Sequence, residues 1–135
     1  MDMDPKNEEK LFAEFEHAIG GIAVMSDGPR GVLVSDGAYL YRAGTYKEKY
    51  VADRTGAGDA FGSGFVAGLM RNELRIKNKE FRTFASETIE YAIRLGSANA
   101  TSVVEYIGAK EGILAKHEFE GSRWRHLKIS KTKLV

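Results

Sequence analysis

Apolar residues recur along the chain with two different periods, and the switches between them mark out the elements. Leu11, Phe12, Phe15, Ala18 and Ile19 repeat at helical spacing behind Asp4-Pro5, which reads as a cap followed by proline at the first helical position. Gly20-Gly21 closes that helix. Residues 22–25 form a short apolar run suited to a buried strand, and Ser26-Asp27-Gly28-Pro29-Arg30-Gly31 turns the chain into a second strand over 32–35. Asp36-Gly37 is a two-residue hairpin signal, so 32–35 and 38–42 are expected to pair antiparallel. Residues 46–51 read as one more strand.

After Asp53 the period becomes helical. A glycine-rich loop at Gly56-Ala57-Gly58 leads into a helix expected over 59–71, in which Gly64 and Gly68 lie four apart with Gly62 and Ala67 nearby. Such a face has almost no side chain and lets a neighbouring helix approach closely. Each interior glycine costs ~1 kcal/mol relative to alanine, so the set calls for a packing or ligand reason. The charged stretch 72–80 reads as a solvated loop. A second helix is expected from Ser86 to about Tyr106, carrying Ile89, Ile93, Ala100, Val103 and Val104 and a small patch at Gly96, Ser97 and Ala98; it is the natural partner for the glycine face. The basic tail contains Trp124 and an alternating His126-Leu127-Lys128-Ile129-Ser130 pattern that suggests a final edge strand. No internal repeat or low-complexity segment is present.

With 135 residues the chain fits one domain, read as 1–135 with a basic tail over 116–135, and 43% hydrophobic against 29% charged residues is enough for a packed core. Twenty Lys and Arg against nineteen Asp and Glu leave a formal charge of +1, so no strong field draws the chain to nucleic acid or an anionic membrane. Arg123, Arg125, Lys128, Lys131 and Lys133 offer a nucleic-acid reading of the tail, but a solvated edge strand explains them more simply. The absence of cysteine removes disulfides, thiolate metal sites and Cys nucleophiles. The acidic start and the lack of any long apolar run lead to the expectation of a cytoplasmic protein without a membrane partner.

Gly56-Ala57-Gly58-Asp59 combines flexible backbone, a helix start and a carboxylate. Amides at a helix start bind anions, and phosphoryl transfer is mostly positioning and charge stabilisation. Asp59 could therefore serve as a general base toward an accepting hydroxyl; equally, it could do no more than cap a helix after a glycine turn. Competing motifs are missing. No Gly-x4-Gly-Lys-Ser/Thr string occurs, and Phe61 stands where a dinucleotide fingerprint needs glycine. His17, His117 and His126 lack ligand-like pairing, and Ser63 is not in a Gly-x-Ser-x-Gly elbow.

The run Asp53-Arg54-Thr55-Gly56-Ala57-Gly58-Asp59-Ala60-Phe61, continuing Gly62-Ser63-Gly64-Phe65, closely resembles the second signature of the ribokinase-like sugar and nucleoside kinases, the PfkB carbohydrate kinase family. Val24-Met25-Ser26-Asp27-Gly28-Pro29-Arg30-Gly31 resembles that family's strand and Thr-x-Gly-x-x-Gly nucleotide loop, with Ser26 in place of threonine. Ala98-Asn99-Ala100 and Gly108-Ala109 resemble the helix and turn that follow, so three landmarks stand in order over residues 10–115.

The resemblance implies that Asp59 is the catalytic base and that Gly56, Ala57 and Gly58 form the anion hole for the transferring phosphate. It places Ser26, Gly28 and Gly31 along the ATP phosphates and ribose, and Ser97, Ala98 and Asn99 near the adenine, though Ser97 and Ala98 read equally as the small face that receives Gly64 and Gly68. Asp53 and Thr55 resemble the monovalent-cation site of many members, so the implied cofactors are ATP and Mg2+, with K+ at that site. The implied fold is an α/β three-layer sandwich, in part, with a mostly parallel sheet and one antiparallel hairpin. Family members are considerably longer, and the lid and the Asn-x-x-Glu motif of their N-terminal half have no counterpart here; Asn7-Glu8-Glu9-Lys10 does not match. The expectation is the C-terminal, nucleotide-binding half of a kinase that transfers the ATP γ-phosphate to an alcohol group of a sugar or nucleoside. The alternative is a non-catalytic nucleotide-binding or oligomerisation module left by truncation, pairing with a copy of itself or with the missing half.

Overall fold

The computed structural model describes Lys10 and residues 21–26, 28–73, 85–106 and 112–134. They gather into two compact units, one from the described parts of Met1–Gly44 and Lys128–Val135, the other from Thr45–Leu127. The helix expected over 11–19 and the Gly108-Ala109 landmark lie outside the described residues.

The first unit is a sheet of β1 (Ala23–Ser26), β2 (Val32–Ser35), β3 (Tyr39–Ala43) and β4 (Ile129–Lys133), in that spatial order and antiparallel at every pairing. The mostly parallel sheet expected from the sequence is thus not seen among the described strands. Links of a few residues join β1 to β2 and β2 to β3, and such links can only reverse the chain; a parallel neighbour needs a crossover of about a dozen residues or more. The β2–β3 hairpin forms, one step later than Asp36-Gly37 suggested. Asp36 N–H donates to the Tyr39 carbonyl at 3.2 Å, so Gly37 and Ala38 are the turn residues, with Gly37 at φ 97°. Asp36 flanks the turn and caps it, its Oδ1 accepting the amides of Ala38 at 3.0 Å and Tyr39 at 2.8 Å. Alternation supplies one apolar cluster of Leu33 and Leu40 with Ala23, Met25 and Leu134 around them. The tail strand expected at 126–130 runs at Ile129–Lys133 and pairs with β3, at the edge of the sheet among the described residues.

The second unit is built on α1 (Ala57–Glu73) and α2 (Ser86–Val104). The glycine face does meet the small patch. A Cβ on Gly64 would lie 2.9 Å from the Gly96 Cα, and one on Gly68 would lie 2.6 Å from the Ala92 Cα, closer than real side chains come. Since 64 meets 96 while 68 meets 92, the helices run antiparallel, and the start of α1 lies beside the last turns of α2. Gly62 takes no part, having open space where its Cβ would be. Tyr46, Leu95, Ala98, Phe119 and Trp124 form the apolar cluster of this unit, with Phe119 at the end of the short helix α3 (Lys116–Phe119).

The strand expected over 46–51 does not form. Its polar groups are taken by helix and tail: the Tyr46 hydroxyl donates to the Trp124 carbonyl at 2.8 Å, and Lys49 N–H donates to Glu105 Oε2 at 2.6 Å. A segment whose donors go to side chains and helix ends has no ladder left to make. No helix among the described residues is long and apolar enough to cross a membrane.

Candidate active site

The loop before α1 is shaped by three local devices. Thr55 N–H donates to Asp53 Oδ1 at 2.9 Å, closing a turn two residues long. Ala57 N–H donates to the Arg54 carbonyl at 3.3 Å, and Gly56 sits at φ 84°, a conformation that favours glycine. The first helical bond follows, from Ala60 N–H to the Gly56 carbonyl at 2.8 Å. The amides of Gly58 and Asp59 are left without an acceptor among the described residues, as expected for the first turn of a helix. Open space surrounds the position a Gly58 Cβ would take. Asp59 stands exposed in that first turn. The result is a helix start with those two free amides, open space beside Gly58 and an exposed carboxylate in the same turn, at the positive end of a 17-residue helix, an environment that favours an anion.

Helix α2 fixes both ends of this loop. At the entry, the Val104 carbonyl accepts the amides of Ala52 at 2.8 Å and Asp53 at 3.2 Å. At the exit, Asn99 Nδ2 donates to the Ala60 carbonyl at 2.9 Å, while Asn99 Oδ1 accepts Leu114 N–H at 2.9 Å. Asn99 is buried and its amide is committed to backbone at both ends. Ser97 and Ala98 are also buried, Ala98 within the apolar cluster and Ser97 with its carbonyl accepting the Thr101 hydroxyl at 2.8 Å. These three residues thus act as packing and anchoring groups in the described structure.

Ser26, Gly28 and Gly31 belong to the other unit. Ser26 ends β1 opposite Val32, Gly28 opens the 3-10 turn Gly28–Arg30 at φ 49°, and Gly31 N–H returns to the Gly28 carbonyl at 3.2 Å. Ser26 and Gly28 are exposed. Among the described residues no group of three His, Cys, Asp or Glu side chains could hold a metal ion.

Sequence reasoning missed Glu105, which follows α2 directly. Its carboxylate is buried and takes both guanidinium nitrogens of Arg123, at 2.8 Å and 2.6 Å. Arg123 holds the carboxylate below the ordinary glutamate range, against the opposing effect of burial, and the Lys49 amide adds to the lowering. Arg123 is therefore a committed partner, where the tail had been read as solvated. The available signal was a lone carboxylate at the end of the apolar run Val103-Val104. Burial also raises the Tyr46 hydroxyl above its ordinary value, with Arg94 opposing the shift.

Gly56–Gly58 at the start of α1 thus stand beside an exposed carboxylate, with the small-residue face of α2 packed against the same helix. Solved structures agree on the fold. The chain is similar to ribokinase from Giardia lamblia, with a TM-score of 0.75 at 20% identity over 87% of this chain and 36% of that one. It is likewise similar to ribokinase from Thermotoga maritima, with a TM-score of 0.63 at 27% identity over 83% of this chain and 33% of that one. These likenesses show a ribokinase-like α/β fold. The family described as pfkB family carbohydrate kinase matches residues 3–116, and the chain belongs to that family. It is 30% identical over 105 residues to an ATP-dependent 6-phosphofructokinase of Thermoanaerobacterium thermosaccharolyticum, covering 78% of this chain and 27% of the relative. It is 33% identical over 88 residues to a cytidine kinase of Thermococcus kodakarensis, covering 64% of this chain and 27% of the relative. The chain therefore spans under a third of the length of these curated relatives.

Proposed function

We propose that the chain supplies the phosphate cradle and the catalytic base of an ATP-dependent kinase that phosphorylates an alcohol group of a sugar or nucleoside. The observation that carries this reading is the exposed carboxylate of Asp59 beside the open amides of Gly58 and Asp59, with room for an anion above Gly58. MgATP supplies the transferable phosphoryl group. The Gly56–Gly58 loop forms the anion hole, with the open Gly58 amide as its donor where charge develops on the transferring oxygens and the Ala57 amide engaged with the Arg54 carbonyl, and Asp59 accepts the proton of the attacking hydroxyl. Ser26, Gly28 and Gly31 are assigned to the nucleotide's phosphates and ribose, supported by the exposure of Ser26 and Gly28 and the positive φ of Gly28, while Gly31 is buried against the Ala43 carbonyl. Ser97, Ala98 and Asn99 are assigned to the adenine, beside their packing and anchoring role on α2. Asp53 and Thr55 are assigned to a monovalent-cation site beside the loop, which their own hydrogen bond also shapes. The substrate class follows from the relatives, one named for a sugar phosphate and one for a nucleoside.

Aligning and shielding the acceptor account for a large part of the barrier reduction in such transfers, and the chain spans only part of its relatives' length. Binding of MgATP with negligible turnover is accordingly the expected behaviour of these 135 residues. A coupled assay with a hexose, a hexose phosphate and a nucleoside tests the reading. Phosphorylation that Asp59→Asn abolishes would make the chain a catalyst by itself. Binding without turnover fits a cradle that works beside a complementary partner. A folded chain that does not bind MgATP would contradict the assignment. The second reading, a nucleotide-binding module that pairs with another chain, draws on β1, which ends the described sheet and leaves Val24 exposed.

A further inference from the structure

Arg123 lies beyond residue 116, where the family match stops, yet it grips the segment that leads into the cradle. Its guanidinium stacks over the Trp124 ring at 4.3 Å and meets Glu105 in a two-pronged ion pair. The pair holds backbone as well as itself. Arg123 NH2 donates to the Lys47 carbonyl at 3.3 Å, and Glu105 Oε2 accepts Lys49 N–H at 2.6 Å, so a tripeptide is held by its acceptor at one end and its donor at the other. Three residues further on, the carbonyl of Val104, the neighbour of Glu105, takes the amides of Ala52 and Asp53. One short stretch at the end of α2 thereby sets the register of residues 47–53. Trp124 completes the frame, buried and accepting the Tyr46 hydroxyl. Glu105 is the buried partner and Arg123 the half-buried one, and such a pair is a poor source of net stability and a good source of fixed geometry, because removing Arg123 strands the buried carboxylate.

We propose that Glu105 and Arg123 are positioning residues for the phosphate loop: together they fix residues 47–53 against the end of α2 and so set where Gly56–Gly58 and Asp59 present their donors and carboxylate. The consequence for phosphate binding rests on the function proposed above; the mechanical claim does not.

Amide hydrogen exchange of the full chain tests it, comparing Arg123→Met, Arg123→Lys and Glu105→Gln with Ile89→Val as a core control distant from the pair. The expected result for Arg123→Met is an acceleration of about tenfold or more at Ala52 and Asp53 relative to the α2 amide of Ile93, with Arg123→Lys intermediate. Ile89→Val should leave that ratio unchanged. MgATP affinity should weaken by about tenfold in Arg123→Met and recover in part in Arg123→Lys, which keeps the charge but not the fork. Exchange at Ala52 and Asp53 that merely keeps step with Ile93 in every variant would overturn the proposal. If Arg123→Met does not fold, Arg123→Lys and Glu105→Gln carry the same readout. Since the exchange comparison uses no nucleotide, a failure to bind MgATP counts against the kinase reading and leaves the positioning claim to its own result.

Discussion

Two glycine turns of this chain, at Gly28–Arg30 and at residues 53–59, are held by different agents. At Gly28–Arg30 the turn is shaped by its own backbone: β1 and β2 pair right up to Ser26 and Val32, and Gly28 and Gly31 take φ 49° and 105°. At residues 53–59 the local devices are one side-chain hydrogen bond, one backbone hydrogen bond from Ala57 to Arg54 and one positive-φ glycine, and in addition the ends are fixed by α2 through Val104 and Asn99. A turn flanked by paired strands can carry its own shape. A loop that opens a helix takes its position from the element packed beside it, so substitutions far away in sequence reach it.

The largest effect should come from the self-held turn. Gly31→Ala would set a Cβ against the Ala43 carbonyl oxygen at a positive φ, and we expect a loss of about 3 kcal/mol or more in urea unfolding. A loss under ~1 kcal/mol would show that the turn relaxes and that its backbone does not dictate its shape. Next comes the seat of α1 on α2. Gly68→Ala and Gly64→Ala are each expected to cost about 2 kcal/mol net, overpacking outweighing the gain in helix propensity. Gly62→Ala, with open space around it, should instead stabilise by up to ~1 kcal/mol. Equal effects at the three glycines would remove the close approach that places the start of α1.

Asn99→Leu leaves the Ala60 carbonyl and the Leu114 amide without their partner, for about 1–3 kcal/mol, and should shift the amide resonances of Asp59 and Ala60 before the helix melts. The smallest effect concerns acid. The folded state holds Glu105 below the ordinary glutamate range, so its contribution is complete above that range and is lost as the pH falls through it toward the lowered folded value. Acid titration of stability should therefore be flatter in Glu105→Gln than in the parent chain. Identical profiles would mean that the Arg123 pair does not bind a proton differently on folding.

What was legible in the sequence was local. The Asp36-Gly37 signal gave a hairpin in the right place, offset by one residue because Asp36 serves as the cap rather than as a turn residue. Gly64 and Gly68 announced a close helix contact, and Gly96 and Ala92 receive it. What was not legible joins residues distant in the chain. Tyr46 reaches Trp124 across 78 positions, Lys49 reaches Glu105 across 56, and Asn99 reaches Ala60 across 39. The segment 46–51 read as a strand, but its hydrogen bonds go to the helix end and the tail. The cradle motif itself was visible because its parts are adjacent; the groups that aim it were not.

The central proposal is that residues 56–59 form an assembled phosphate cradle with Asp59 kept for chemistry. Calorimetric titration of the chain with MgATP, beside Gly58→Val and Asp59→Ala, tests it most directly. The free space around Gly58 means that valine there should fold normally and fill the room an anion needs. The account predicts saturable binding that Gly58→Val destroys and Asp59→Ala largely spares. Binding unaffected by Gly58→Val, or no binding by a folded parent chain, would contradict it.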